Sequence, residues 1–320
     1  MTRGMRAYSE VAGERHELKL GDPSYPSCVA ELKGAPGTLY VVGDPTALST
    51  PSLSIVGARR ATPYGISCAQ MAATCAAASG VCVVSGGAIG CDQAAGRAAL
   101  EAGGVHVAVL GTGADVCYPA SAAGMLERAV GSGGAVVSLE RWGTQPKPWA
   151  FPKRNRVIAA LSEALLVTEA TVPSGTFSTA EAACELDREV LAVPGSIYSP
   201  ESKGPNWLIS CGASPIVDEE SLEVAISRIY RTLRLKHPPA EGLPSVSELA
   251  DRAMRMIVSD PMRPEAIAAA LSLTPEECLM LLSELELTGA ATRLKDGRLA
   301  PSGSSLHALS GLGNNRGRDA

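Results

Sequence analysis

Aromatic side chains are scarce in this chain, with two Phe, three Trp and seven Tyr in 320 residues. The core must therefore be built from Ala, Val, Leu and Ile, whose small side chains let helices pack closely on a parallel sheet. No run reaches the ~18 apolar residues of a membrane span. The first twenty residues, MTRGMRAYSEVAGERHELKL, hold no apolar signal segment. The expectation is a soluble, cytoplasmic protein with no membrane segment. The nine cysteines (28, 68, 75, 82, 91, 117, 184, 211 and 278) form no C-x-x-C pair and no Cys/His cluster at zinc spacing. Most sit in apolar contexts, which suits a reducing compartment. A basic excess is also missing. The formal net charge of −5 argues against a wholly basic nucleic-acid coat and leaves room for a local basic groove.

Two phosphate signatures are absent as well. The turn after the first main strand reads Gly57-Ala58-Arg59-Arg60, not G-x-G-x-x-G. Ser85-Gly86-Gly87 stands where a dinucleotide fold would place its ribose-holding acid. No G-x-x-x-x-G-K-[ST] occurs. The four histidines (16, 106, 237 and 307) do not cluster in sequence, and His106, inside a strand, reads as a core residue. Asp92, Asp115 and Glu169 lie near strand ends and are candidate acids or bases, although Asp92 equally fits a helix N-cap. No catalytic set, metal or cofactor is expected.

From Ser52 onward, short apolar runs alternate with helices. Strands are expected at 54–56, 81–84, 105–110, 135–139, 164–167, 190–193 and 215–217. The first helix opens at Thr62-Pro63, with Thr62 as N-cap, and stops at Gly80. This pattern predicts an α/β fold, a parallel sheet covered on both faces. Residues 1–50 read as an N-terminal extension, with 1–16 loose and strands at 17–20 and 38–42. Residues 51–236 form the Rossmann-like domain. Pro238, Pro239 and Gly242 mark a linker at 237–244. Residues 245–301 read as a small winged-helix-like domain with helices at 245–258, 264–271 and 275–288 and a hairpin. Residues 302–320 read as a disordered tail. The third of those helices carries Glu276, Glu277, Glu284 and Glu286 and no Lys or Arg. Repulsion from phosphates favours a protein-contact or regulatory role for it.

Ligands of parallel sheets bind beyond the C-terminal strand ends. Four loops there are expected to take anions: Gly57, Arg59 and Arg60; Ser85, Gly86, Gly87 and Ala88; Gly111, Thr112 and Gly113; and Ser174, Gly175 and Thr176, ahead of a helix opening near Ser178. Between the third and fourth loops lies a basic run, Lys153, Arg154, Asn155 and Arg156, flanked by Trp149 and Phe151 as base-stacking candidates. Many cradles and cations at one rim suit a ligand with several phosphates, and rings that stack on any base suit a single nucleic-acid strand.

The order and spacing of SIVGARRATPYG (54–65), VVSGGAIGCDQAAGRAAL (83–100), AVLGTGADVCYP (108–119), FPKRNRVIAALS (151–162), VTEATVPSGTFSTAEAA (167–183) and VLAVPGS (190–196) resemble the DNA-processing protein A (DprA, or Smf) family. The resemblance implies an extended Rossmann-like fold that binds single-stranded DNA. It also implies help in loading the recombinase RecA onto incoming DNA during natural transformation, in competition with single-stranded-DNA-binding protein. Homodimers are usual in the family. Its pocket maps onto Arg59, onto Ser85–Ala88 and onto Lys153, Arg154, Asn155 and Arg156. This chain has Gly96 where many members have His, and Gly90-Cys91-Asp92 where many have Gly-Ile-Asp. The helical N-terminal domain of many members is missing or reduced to residues 1–16. A rival resemblance is to phosphoribohydrolases with a PGGxGTxxE motif. Their catalytic Glu falls on Thr179, which cannot act as a carboxylate base.

Overall fold

The computed structural model describes residues 9–232, 248–303 and 305. The first unit is a nine-stranded sheet in the order β1-β2-β6-β5-β4-β3-β7-β8-β9. Its strands are β1 (Arg15–Lys19), β2 (Thr38–Gly43), β3 (Ser52–Val56), β4 (Cys82–Ser85), β5 (His106–Gly113), β6 (Ala135–Glu140), β7 (Ala164–Val167), β8 (Glu189–Ala192) and β9 (Ser214–Pro215). The strands from β6 to β9 are all parallel, and β2 joins β6 antiparallel and carries β1 at the edge. The chain moves outward from β3 through β4 and β5 to β6, then returns to pair β7 on the other side of β3. That reversal opens a crevice at the C-terminal ends of β3 and β7.

The strands are short and apolar on both faces. Leu165 and Val167 of β7 enter one core layer, and Ala164 and Leu166 enter the other. The first layer is covered by α1 (Ser27–Ala30), α5 (Ala150–Ala160), α6 (Gly175–Glu185) and α7 (Lys203–Ser210). The second is covered by α2 (Pro63–Ala78), α3 (Cys91–Glu101) and α8 (Glu219–Tyr230). Alanines Ala69, Ala72, Ala73 and Ala76 line the buried side of α2, so backbone packs close to backbone as the scarcity of aromatics requires. Beside β5 and β6, α4 (Ala123–Gly131) closes a third cluster.

Two serines set the position of α5. Ser54 Oγ donates to the Ile158 carbonyl at 2.7 Å, and Ser52 Oγ donates to the Leu161 carbonyl at 2.6 Å. These bonds satisfy carbonyls that the end of a helix leaves without partners. They tie the C-terminal end of α5 to β3, so its N-terminal half projects over the crevice.

Several expectations are corrected. The third loop, 111–113, is strand: β5 runs on to Gly113, whose N–H donates to the Thr144 carbonyl at 2.9 Å. The helix expected from about Ser178 begins at Gly175. Residues from 9 onward are not loose, because Val11 is buried and its N–H donates to the Asp115 carbonyl at 2.9 Å. Helix α7 carries no strong sequence signal, and α5 has no side-chain N-cap, with Trp149 at the cap position.

His106 is a core residue. Its Nδ1 lies 2.8 Å from the Val83 carbonyl, and burial pushes its pKa down to about 4, so the ring is neutral. Its Nε2 edge fills the space that the missing side chain of Gly96 leaves open.

The second unit contains α9 (Glu248–Ser259), α10 (Pro264–Leu271) and α11 (Pro275–Leu287), followed by the hairpin β10 (Ala291–Arg293) and β11 (Leu299–Pro301). Ile257, Ile267, Leu282, Leu285 and Leu299 form its core. Thr274 and Glu277 make a reciprocal capping box at the start of α11. One of the four acids is therefore used to begin the helix, and Glu286 pairs with Arg293 at 3.0 Å. The linker 237–244 lies outside the described residues, as does the expected disordered tail 302–320 except for 302, 303 and 305; there the expectation is corrected, because the Ser302 amide donates to the Ala290 carbonyl at 2.9 Å and Ser305 is buried. Among the described residues, no single helix is long and apolar enough to cross a membrane.

Candidate nucleic-acid interface

The crevice between β3 and β7 is a cleft of about 700 Å³. The turn after β3 lines one wall with Gly57, Ala58, Arg59 and Arg60. The turn after β7 and the first turn of α6 line the other with Thr171, Ser174, Gly175 and Thr176. Asn155 and Ile158 of α5 enter from the side. Both arginines are exposed at the rim. Opposite them, α6 begins at Gly175, and the first-turn amides of a helix have no partner within it. The Asn155 amide donates to the Gly175 carbonyl at 3.1 Å and to Ser178 Oγ at 3.0 Å, holding α5 against that helix end. Cationic side chains thus face a positive helix terminus across one opening, an arrangement that attracts anions.

Close backbone approach makes the walls possible. The amide of Cys91 donates to the Ala58 carbonyl at 3.3 Å. Gly90 caps α3 with φ 92°, and a side chain there would overlap the Ala58 and Arg59 carbonyls. Gly57 sits against Thr168 and Cys91, with no room for a β-carbon.

Arg154 lines the cleft but is not a surface side chain. It is 4% exposed, and its Nη1 donates to the Val109 carbonyl at 2.9 Å. Its guanidinium and the Asp92 carboxylate both lie against Gly86, where a β-carbon would overlap both groups, and they attract each other without forming a close ion pair. Burial pushes the Asp92 carboxyl up and the Arg154 pKa down to about 10, while their mutual attraction acts against both shifts. The Ala88 amide donates to Asp92 Oδ2 at 3.3 Å, and the Gly86 amide also favours that carboxylate. The 85–88 loop therefore cradles an anion supplied by the chain itself. Ser85 Oγ turns inward to the Ile55 carbonyl at 2.8 Å, and Gly87 is buried. Of this loop, Ala88 reaches the cleft.

The remaining expected residues divide. Gly111 lies beneath the Phe151 ring, where a side chain would collide with it. Thr112 is buried and donates to the Val116 carbonyl at 2.8 Å, and Gly113 is buried in the strand. None of the three lines the cleft. The Arg59 guanidinium lies 5.5 Å from the Phe151 ring centroid, Arg154 lies 5.8 Å from it, and Tyr118 packs against the ring at 5.9 Å. Phe151 thus orients the cations and is half-buried. Trp149 is 48% exposed, with Lys153 and Lys147 4.7 and 5.4 Å from its ring. Lys153 and Arg156 point to the other side of α5, into a second cleft. Thr171, in the turn after β7, was within reach of the strand-end rule but not expected, and Glu201, in the short 3-10 helix Pro200–Ser202 ahead of α7, carried no such signal.

The candidate acids have structural partners. Glu169 is buried and accepts from the Thr62 amide at 2.9 Å and from Thr62 Oγ1 at 2.5 Å, fixing the start of α2. Burial raises its pKa to about 7 against those bonds. Asp115 accepts from the Gly143 amide at 2.8 Å and lies 3.2 Å from Arg15. Thr179, at the position of the rival motif's glutamate, is 2% exposed on α6.

Fold and cleft together define an extended Rossmann-like α/β protein with an anion-receptive switch-point cleft, followed by a winged helix. The family model for DNA recombination-mediator protein A matches residues 16–226, and that for the DprA winged helix domain matches residues 237–297. The chain belongs to the DNA recombination-mediator protein A family, the DprA/Smf proteins of DNA processing. It is 38% identical over 207 residues to Protein Smf of Escherichia coli, covering 65% of this chain and 55% of that protein. It is 36% identical over 249 residues to the putative DNA processing protein DprA of Mycobacterium tuberculosis, covering 77% and 63%. The match thus spans little more than half of the first relative and less than two thirds of the second. Among solved structures, DNA processing protein A of Streptococcus pneumoniae aligns with a TM-score of 0.61 at 34% identity, over 66% of this chain and 74% of that one. The Helicobacter pylori protein, solved for its single-stranded DNA binding mode, aligns at 0.62 and 28% identity, over 68% and 98%.

Proposed function

We propose that this protein binds single-stranded DNA in the switch-point cleft without sequence preference and acts as a mediator, not as an enzyme, in DNA recombination. The observation that carries the reading is Arg59 and Arg60 facing the open start of α6 across one cleft. Phosphates bind between the arginines and the amides of Gly175 and Thr176. Asn155 holds that helix end in place, and exposed Trp149 offers a stacking face. Buried Asp92 holds the 85–88 turn and buried Arg154 sits against the Phe151 ring, which keeps Arg59 oriented. Family membership and the single-stranded DNA reported for the Helicobacter protein support the assignment. In the same reading the protein works as a cytoplasmic homodimer. It shields incoming strands in competition with single-stranded-DNA-binding protein and passes them to RecA.

The test is retardation of oligothymidine across a salt series. An Arg59→Ala/Arg60→Ala variant should bind more weakly. Its slope of log affinity against log salt should fall by about 1.4, at roughly 0.7 for each single-strand phosphate that is no longer neutralised. Binding and slope equal to the parent's would end the assignment.

A further inference from the structure

On the far side of α5 lies a second cleft, of about 630 Å³. Its walls are the 32–40 segment leading into β2, the end of β6 at Leu139, Glu140 and Arg141, and the outer face of α5. Lys33, Arg141, Lys153 and Arg156 line it, against the one carboxylate of Glu140. Arg156 pairs with exposed Glu185 at 3.4 Å. Among the described residues, no carboxylate lies within ion-pairing distance of Lys33, Arg141 or Lys153.

The two clefts open at the same rim of the sheet. The C-terminal end of β6 runs parallel with that of β3, and β2, antiparallel to β6, starts there. Only α5, about 10 Å wide as helices are, separates them. Asn155 and Ile158 face the first cleft, and Lys153 and Arg156 face the second. Trp149, exposed at the start of α5, has Lys153 4.7 Å from its ring.

The geometry points to a second strand-binding subsite: a polynucleotide held in the first cleft crosses the start of α5 over Trp149 and lays its next phosphates among Lys33, Arg141, Lys153 and Arg156. This inference rests on the single-strand reading of the first cleft. An acidic protein segment would also meet the cations. The common rim and the exposed ring between the clefts favour a continuing strand, because a base can stack where an acidic side chain cannot.

The test uses the full chain and oligothymidines of increasing length. Lys33→Glu/Arg141→Glu alters two exposed side chains outside the first cleft, and a thermal melt checks that the fold is kept. For the parent, affinity should keep rising with length after the first cleft is filled. For the variant it should level off at the short-oligomer value, with the long-oligomer salt slope lower by about 1.4 or more. Short oligomers should bind both proteins equally. Undiminished length dependence in the variant overturns the second subsite and leaves the first cleft standing, as does equal loss for short and long oligomers. A parent that retards no oligothymidine sinks both readings. Polyglutamate that binds the parent while affinity for oligothymidine does not grow with length would give the cleft to an acidic protein partner and overturn this assignment.

Discussion

Replacing Arg154 with alanine separates two roles that its sequence context cannot distinguish. A surface arginine that contacts phosphate contributes at most about 1 kcal/mol to folding. Arg154 is 4% exposed, donates to the Val109 carbonyl at 2.9 Å and lies beside the buried Asp92 carboxyl. Its removal strands that carboxylate, leaves the amides of Gly86 and Ala88 around an unpaired charge and takes a cation from the Phe151 ring. Depriving a buried charge of its neighbouring opposite charge costs about 3–5 kcal/mol. At about 2–4 °C per kcal/mol for a domain of this size, the melting temperature should drop by roughly 6–20 °C. Urea denaturation followed by circular dichroism gives the free energy directly. Asp92→Asn in the same background should then cost much less than it does alone, because the attraction between the two charges is already lost. A loss below about 1 kcal/mol for Arg154→Ala, together with a weaker salt dependence of oligothymidine binding, would refute the structural role and restore the phosphate contact.

Three further outcomes are expected. Gly86→Ala should destabilise by about 2–4 kcal/mol, because its β-carbon displaces the buried Arg154 guanidinium and crowds the Asp92 carboxylate; a denaturation midpoint equal to the parent's would contradict this. Glu169 holds its proton in the folded state up to about pH 7, against an ordinary value of 4.5. Over that window the unfolded chain has released a proton that the native state keeps. Stability from this group is therefore full below 4.5 and falls as pH rises through 7, by at most roughly 3 kcal/mol. Glu169→Gln should flatten that fall, and urea midpoints across the window with an unchanged slope would exclude the assignment. Trp149→Ala should weaken oligothymidine binding by about 1–3 kcal/mol without lowering the melting temperature, since the ring is half exposed; unchanged affinity in a fluorescence titration would remove it from the interface.

The alternation of strand and helix was legible from residue 52 onward because a parallel sheet needs apolar runs on both faces. The cap at Thr62 was legible because its chemistry is local, and Gly65 N–H does donate to its hydroxyl at 3.3 Å. The cleft formed by Arg59, Arg60 and the start of α6 followed from the rule that loops after parallel strands share one rim. His106 in the core followed from its place inside an apolar strand.

Tertiary structure decided the rest. The Gly111-Thr112-Gly113 run looks like a turn, yet β5 continues through it because Thr144 and Val116 supply hydrogen-bond partners and the Phe151 ring needs a floor without side chains. The basic run 153–156 reads as one patch, but a helix turns by about 100° at each residue, so neighbours in sequence face different surroundings. Once Ser52 and Ser54 fix the end of α5, Arg154 is buried in the lining of one cleft, Asn155 enters that cleft less deeply, and Lys153 and Arg156 line another. The amino-acid sequence by itself supplied the cations, the glycines and the strand pattern. How α5 rests on the sheet, which depends on bonds between residues far apart in the chain, determined which cations remain available to a ligand.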